Sequence, residues 1–176
     1  MKLKLLPSQD YLKDRFLYHP DSGELMWKPL TFASRDTNRW NIRYAGKKAG
    51  RIEKAGYAVV SLDGTMYKAH RLIYKLVEGA EPPQFLDHKN GVRADNRWDN
   101  IRSASHSGNA ANCLLRKDNS SGYKGVCWNK RQKKWVSQIG LEGTRKHIGV
   151  FDQPEEAYAA YCEAAVLYFG AFAKII

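Results

Sequence analysis

Asp87 and His88 stand side by side in the stretch Leu86 to Arg102, which continues through Asn90-Gly91, Asp95-Asn96-Arg97 and Asp99-Asn100. A carboxylate and amide oxygens suit a hard divalent cation such as Mg²⁺, which takes few protein ligands and keeps its waters. A histidine with an ordinary pKa near ~6.5 is largely neutral at physiological pH and can take a proton from water. Together these groups are what phosphodiester hydrolysis asks for: a base for water, a cation for the phosphate charge, and positive groups to hold the strand. One geometric demand follows. Neighbours on a strand project to opposite faces, so Asp87 and His88 serve one site only if the strand end twists or the loop approaches. The plainer reading is that Asp, Asn and Gly merely make turns. That reading is preferred for Asn90, Gly91, Asp95 and Asn96, which shape the loop. Asp87, His88 and Asn100 together carry the chemistry.

Several elements must position this stretch. Residues 8 to 18 space Tyr11, Leu12, Phe16 and Leu17 as a short amphipathic helix capped by Ser8 or Asp10. His19 to Gly23 is a turn and Glu24 to Trp27 a strand. Residues 28 to 45, with Arg35, Arg39, Trp40 and Arg43, show no period and are expected to form a basic loop. Gly50 to Ile52 and Tyr57 to Leu62 are strands. Asp63-Gly64 is a tight hairpin turn, and Met66 to His70 the returning strand. A helix over 71–78 buries Leu72, Ile73, Leu76 and Val77, and Gly79 with Pro82-Pro83 ends it. His70, where strand meets helix, has no visible acidic neighbour and is expected to be structural or a phosphate contact. Phe85 to His88, the loop, Ile101 to Ala104 and a helix from Ser105 through about Leu115 form a strand–loop–strand–helix unit.

Composition turns polar over Arg116 to Ser121, which reads as a linker. Beyond it, residues 123–128, 133–139 and 144–151 alternate as three antiparallel strands. Pro154-Glu155-Glu156 opens a helix with Asp152 as cap and acids in its first turn. Its apolar face covers the sheet, and Gly170 ends it.

The chain has 176 residues and a net charge of +11, with 29 Lys+Arg against 18 Asp+Glu. Such a surplus draws polyanions, or merely keeps a surface solvated. Its 43% hydrophobic content supports folding rather than disorder. Cys113, Cys127 and Cys162 form no CxxC pair, which argues against a structural zinc site. Their odd number fits a reducing compartment. No signal-peptide or membrane-spanning run stands out, so an intracellular protein is expected.

The pattern Asp87-His88-Lys89-Asn90-Gly91, then Asp95-Asn96-Arg97 and Asp99-Asn100-Ile101-Arg102, resembles the HNH endonucleases of phages and mobile introns, whose pattern is close to D-H-x-N-G, D-N-R and E-N-L-R. Ala69-His70-Arg71-Leu72-Ile73-Tyr74 matches the stretch that commonly precedes it. Asp99 and Ile101 replace the usual Glu and Leu. The resemblance implies a ββα-metal fold with His88 as general base and Asp87 as metal ligand. It implies Asn100 as the brace that holds the loop and orients the histidine, and Asn109 as second metal ligand, with Asn112 and His106 as alternatives.

Tyr123-Lys124-Gly125-Val126, Lys134-Trp135-Val136-Ser137-Gln138-Ile139, Gly149-Val150-Phe151 and Glu155-Glu156-Ala157-Tyr158 resemble the AP2-type DNA-binding domain. That resemblance implies a sheet laid in the major groove, where alternating side chains meet bases and phosphates. By position, Lys124, Asn129, Gln138, Arg145 and His147 are the contact set, with Lys130, Arg131, Lys134 and Lys146 on phosphates. Cys127 and Gly140 stand where plant members carry base-reading arginines, so a plant target does not transfer. Trp128 and Trp135 could stack on sugar or base, but buried packing is the commoner use.

The expectation is an α+β chain: an HNH endonuclease domain over 1–115 with its core at about 85–115, a linker over 116–121, and an AP2-like domain over 122–176. It is expected to cut double-stranded DNA at a directed site with Mg²⁺, Mn²⁺ being the alternative. A monomer is expected; cutting both strands needs a dimer or sequential nicks. The setting is the cytoplasm of a bacterium hosting a phage or mobile element. The rival reading is a non-catalytic DNA-binding or regulatory protein on a nuclease-derived fold.

Overall fold

The computed structural model describes residues 5–113, 115 and 118–175. The chain forms two compact units, Met1–Ser103 and Ala104–Ile176.

In the first unit, α1 (Gln9–Arg15) starts at Ser8, whose Oγ accepts the Tyr11 N–H at 3.3 Å. It leads into an antiparallel hairpin, β1 (Phe16–His19) and β2 (Glu24–Trp27), with Phe16 opposite Trp27 and His19 opposite Glu24. A three-stranded sheet follows: β3 (Arg51–Ile52), β4 (Ala58–Leu62) and β5 (Thr65–Lys68), with β4 in the middle. Asp63 and Gly64, at φ +50° and +71°, make the two-residue turn between β4 and β5. α3 (Ala69–Glu78) begins directly after β5, two residues earlier than the sequence suggests, and stops at Gly79, φ +76°. Leu12, Phe16, Leu25, Val60, Leu62, Leu72 and Ile73 form one buried cluster. Helix and hairpin thus share a core with the sheet, and β6 (Phe85–His88) and β7 (Ile101–Ala104) add to it through Leu86 and Ile101.

Residues 35–44, expected as loop, form helix α2 (Arg35–Tyr44). Its inward face carries only Thr37, Trp40 and Tyr44 among polar and charged neighbours, too few apolar residues for the pattern to stand out in the sequence. Polar devices hold it instead. Ser34 Oγ accepts the Thr37 N–H at 3.0 Å, and Asn41 bonds both the N–H and the carbonyl of Leu30, at 2.8 and 3.0 Å.

The second unit opens with α4 (His106–Ala111), capped by Ser105 Oγ on the Gly108 N–H at 2.9 Å. It ends short of the expected Leu115. The ammonium of Lys124 bonds the Ala111 and Cys113 carbonyls and so ties off the helix terminus. Of the expected linker, residues 116 and 117 lie outside the described residues. Strands β8 (Val126–Asn129), β9 (Lys134–Leu141) and β10 (Thr144–Phe151) form an antiparallel sheet in the order β10-β9-β8. Helix α5 (Pro154–Phe169) covers one face, with Ile139 of the sheet packed on Tyr161 and Ala165 of the helix. Gly125, at φ +75°, lies where a Cβ would come within 2.1 Å of the Tyr161 ring, so only glycine lets sheet and helix meet there. The α+β architecture expected from the sequence is the one observed. Among the described residues no helix is long and apolar enough to cross a membrane.

Candidate active site and DNA-binding face

Asp87 and His88 end β6, and both are buried, 6% and 5% exposed. Asp87 Oδ2 receives Arg102 of the paired strand β7, with Nε at 2.9 Å and Nη2 at 2.8 Å. The Nε2 of His88 lies 3.1 Å from the Oδ1 of Asn96, itself 4% exposed. With that amide oxygen as acceptor, Nε2 carries the proton and Nδ1 is the basic nitrogen of the neutral ring.

The loop between the strands is knit by its own side chains. Asn100 Oδ1 accepts the Asn90 N–H at 3.0 Å, and its amide donates to Asn90 Oδ1 at 3.1 Å and to the Asp95 carbonyl at 2.7 Å. The Arg97 guanidinium grips Asp95 with both nitrogens, at 2.9 and 2.6 Å, and holds that carboxyl at about 2. The β1–β2 hairpin props the loop from outside. Tyr18 donates to the Asn96 carbonyl at 2.7 Å, and the Trp98 N–H to the Pro20 carbonyl at 3.1 Å. Gly23 presses so close that a Cβ would sit 2.4 Å from Arg97 N and 2.5 Å from the Asn96 carbonyl carbon.

Two rings meet behind the histidine. His70 packs edge-on against His88 with centroids 5.1 Å apart, and Tyr57 lies 5.5 Å from His70 and 6.3 Å from His88. Burial holds His70 neutral, with its pKa lowered to about 3, and the neighbouring His88 adds to the effect. Burial also lowers His88, opposed by its bond to Asn96 and by the charges of Asp87 and Asp95. Lys68 and Arg93 flank the Tyr57 ring, 3.8 and 5.0 Å from its centre, and leave positive charge beside the site.

In the second unit, strand register sorts the side chains. Arg145 stands opposite Gly140, His147 opposite Gln138, and Asn129 opposite Lys134, all on the face away from α5. Lys146 is opposite the buried Ile139, hence on the helix side, where its ammonium meets the Tyr168 hydroxyl.

The HNH endonuclease family model matches residues 67–111, and the AP2 domain model matches 121–171. Protein 3.8 of Escherichia phage T7 is 31% identical over 86 residues, 47% of this chain and 71% of that relative. The chain belongs to the HNH endonucleases and carries an AP2-type domain after the HNH region.

An HNH endonuclease read from sequence alone would be assigned Asp87, His88, Asn100 and Asn109. The fold brings the first three together in the first unit. Asn109 is half-buried on α4 of the second unit, with Asn112 buried and His106 exposed on the same segment. Of the expected DNA contacts, Asn129, Lys134, Gln138, Arg145 and His147 share one sheet face. Lys130 and Arg131 lie in the β8–β9 turn, where both are exposed. Lys134 also reaches Asp152 at 3.0 Å. Lys124 is half-buried against the end of α4. Sequence reasoning missed Asn96 as the partner of His88, the ring support from His70 and Tyr57, and the Arg102–Asp87 pair. Asn96 looks like one more turn residue in a loop full of them, and only pairing in space distinguishes it. Arg102 did carry a signal. Position 102 lies on a strand expected to pair with the one bearing Asp87, where opposite charges meet across the ladder.

Proposed function

We propose that the protein hydrolyses phosphodiester bonds of double-stranded DNA, with His88 as general base, Asn100 as the brace of its loop, and the AP2-type sheet as the surface that holds DNA in the major groove. The observation that carries this is the pairing at the end of β6. A buried neutral histidine with an orienting amide stands next to a buried carboxylate anchored by an arginine. His88 takes the proton of a water whose oxygen bonds to phosphorus as the phosphorus–oxygen bond to the leaving strand breaks. Asn96 keeps the ring turned for that transfer, and Lys68 and Arg93 hold phosphate nearby.

The donor set fits a hard divalent cation. One buried carboxylate with amide oxygens suits an ion that keeps its waters. Asp87 would hold the ion, Mg²⁺ or Mn²⁺, with Arg102 fixing the carboxylate's orientation. Asn109 is the second ligand that the family resemblance supplies. When bound, the ion neutralises charge on the phosphate and the leaving oxygen. The reading takes the protein as a monomer that nicks one strand at a time. The free cysteines and the relative's phage origin support an intracellular, bacterial setting.

The test is supercoiled plasmid bearing the native target, with Mg²⁺ or Mn²⁺. His88→Ala is expected to lower the nicking rate about 10²–10⁴-fold while DNA affinity stays. Asp87→Asn and Asn109→Ala are expected to weaken Mn²⁺ binding, read by titration calorimetry. Tight DNA binding with no nicking by the wild type would replace this reading by that of a non-catalytic DNA-binding protein.

A further inference from the structure

Away from the HNH loop, the first unit has a cavity of about 590 Å³ between the β1–β2 hairpin, α2 and the β3–β5 sheet. Its walls are aromatic. Trp27 and Trp40 meet edge to face at 5.4 Å, and Tyr44 lies 5.4 Å beyond Trp40. Arg15 points its guanidinium over Trp40 at 4.9 Å and over Trp27 at 5.7 Å. The Nε of Arg15 is buried and meets no acceptor among the described residues, and no carboxylate among them pairs with this arginine. Arg51 and Asp63 also line the cavity, and one Asp63 oxygen takes the Tyr11 hydroxyl at 2.6 Å.

We propose that this cavity receives a single unpaired nucleotide of a DNA strand. Its volume lies within the range of about 300–1,000 Å³ usual for small-ligand sites. Aromatic rings at a cavity wall can take any base by stacking, without regard to its identity. Arg15 lines the cavity with no carboxylate partner among the described residues, so a phosphate supplies the counter-charge that the protein withholds. An aliphatic occupant would leave that charge unmet. The Asp63 charge repels phosphate and accepts amino groups, which orients the occupant with its phosphate toward Arg15 and Arg51. A paired base has both faces and its edge engaged, so only an extruded or unpaired one can enter. The cavity residues lie outside both segments matched by family models. The proposal does not depend on which residues cut.

The experiment uses the full chain in EDTA, so that no cleavage is measured. The probes are two otherwise identical duplexes, one fully paired and one with a single bulged 2-aminopurine. Wild type is expected to bind the bulged duplex about fivefold or more tightly and to quench its fluorescence on binding. Trp40→Ala and Arg15→Gln should each reduce that preference to about twofold or less and leave affinity for the paired duplex unchanged. Trp40→Phe, which keeps a ring, should retain it. Equal wild-type affinity for the two duplexes without quenching overturns the proposal, as does a preference that survives both losses. Joint loss of paired-duplex binding in Trp40→Ala shows that the ring only packs, and overturns it too.

Discussion

His88 and Asn96 form the contact on which the proposed chemistry turns. Removing the amide in Asn96→Ala frees the ring to rotate and leaves buried polarity unmet. Loss of such an orienting partner usually costs about 10–100-fold in activity. The nicking rate should fall by that much with DNA affinity unchanged; an unaltered rate would remove Asn96 from the site. His70 makes a separate prediction through stability. Its pKa is lowered from 6.5 to about 3 in the folded chain, so below pH 6.5 the unfolded chain binds the extra proton. The stabilisation from a neutral His70 is therefore complete above pH 6.5 and is lost as pH falls toward 3. The lowered His88 acts in the same sense. Melting temperature should drop between pH 7 and pH 4, and His70→Phe should flatten that slope by keeping a ring without a titrating group. Identical slopes in calorimetry would show that His70 is not the titrating group.

At the scale of elements, the β1–β2 hairpin acts as a buttress for the HNH loop. Gly23 is the point of contact, at φ +74° and with loop backbone where its Cβ would be. Gly46 has a similar φ of +70° and nothing within 4 Å of a Cβ. Both Gly→Ala changes incur the left-handed backbone cost of about 1–2 kcal/mol. Only Gly23→Ala adds overpacking, about 1–3 kcal/mol more, and it displaces the segment that carries Asn96. Urea unfolding should rank Gly23→Ala well below Gly46→Ala, and only the former should slow nicking. Equal effects would mean that the hairpin does not support the loop. The sheet–helix contact at Gly125 obeys the same logic in the second unit, since any side chain there meets the Tyr161 ring.

For the whole molecule, the charge of +11 makes DNA affinity strongly dependent on salt. Register then says which cations count. Arg145 lies on the open sheet face and Lys146 on the helix side. Arg145→Ala should weaken DNA binding and reduce the slope of log affinity against log salt by about one. Lys146→Ala should leave the slope unchanged. A slope that responds to Lys146 and not to Arg145 would place DNA on another surface. A target and a random duplex titrated together separate directed from general binding, because phosphate contacts alone weaken alike on both.

Much of this protein is local in origin. Alternation, Gly turns and helix caps are properties of neighbouring residues. Hence the hairpin at Asp63-Gly64, the helix ended by Gly79, and the three-strand sheet with α5 are legible in the chain, as is the Asp87-His88-Asn100 pattern. α2 is not, because only Trp40 and Tyr44 mark its inward face, and Ser34 and Asn41 clasping Leu30 hold the rest. Nor are the relations that couple distant positions. Asn96 looks like loop filler until Tyr18 and Gly23 press it toward His88. His70 looks idle until burial strips its charge and sets it edge-on against His88. The neighbours Asp87 and His88 turn out to be served by different partners, Arg102 across the ladder and Asn96 across the loop. Residue types and their spacing determined which chemistry the chain can do. Which amide holds His88, which arginine holds Asp87 and which cations face outward were decided by tertiary structure, since burial and strand register exist only once the chain has folded.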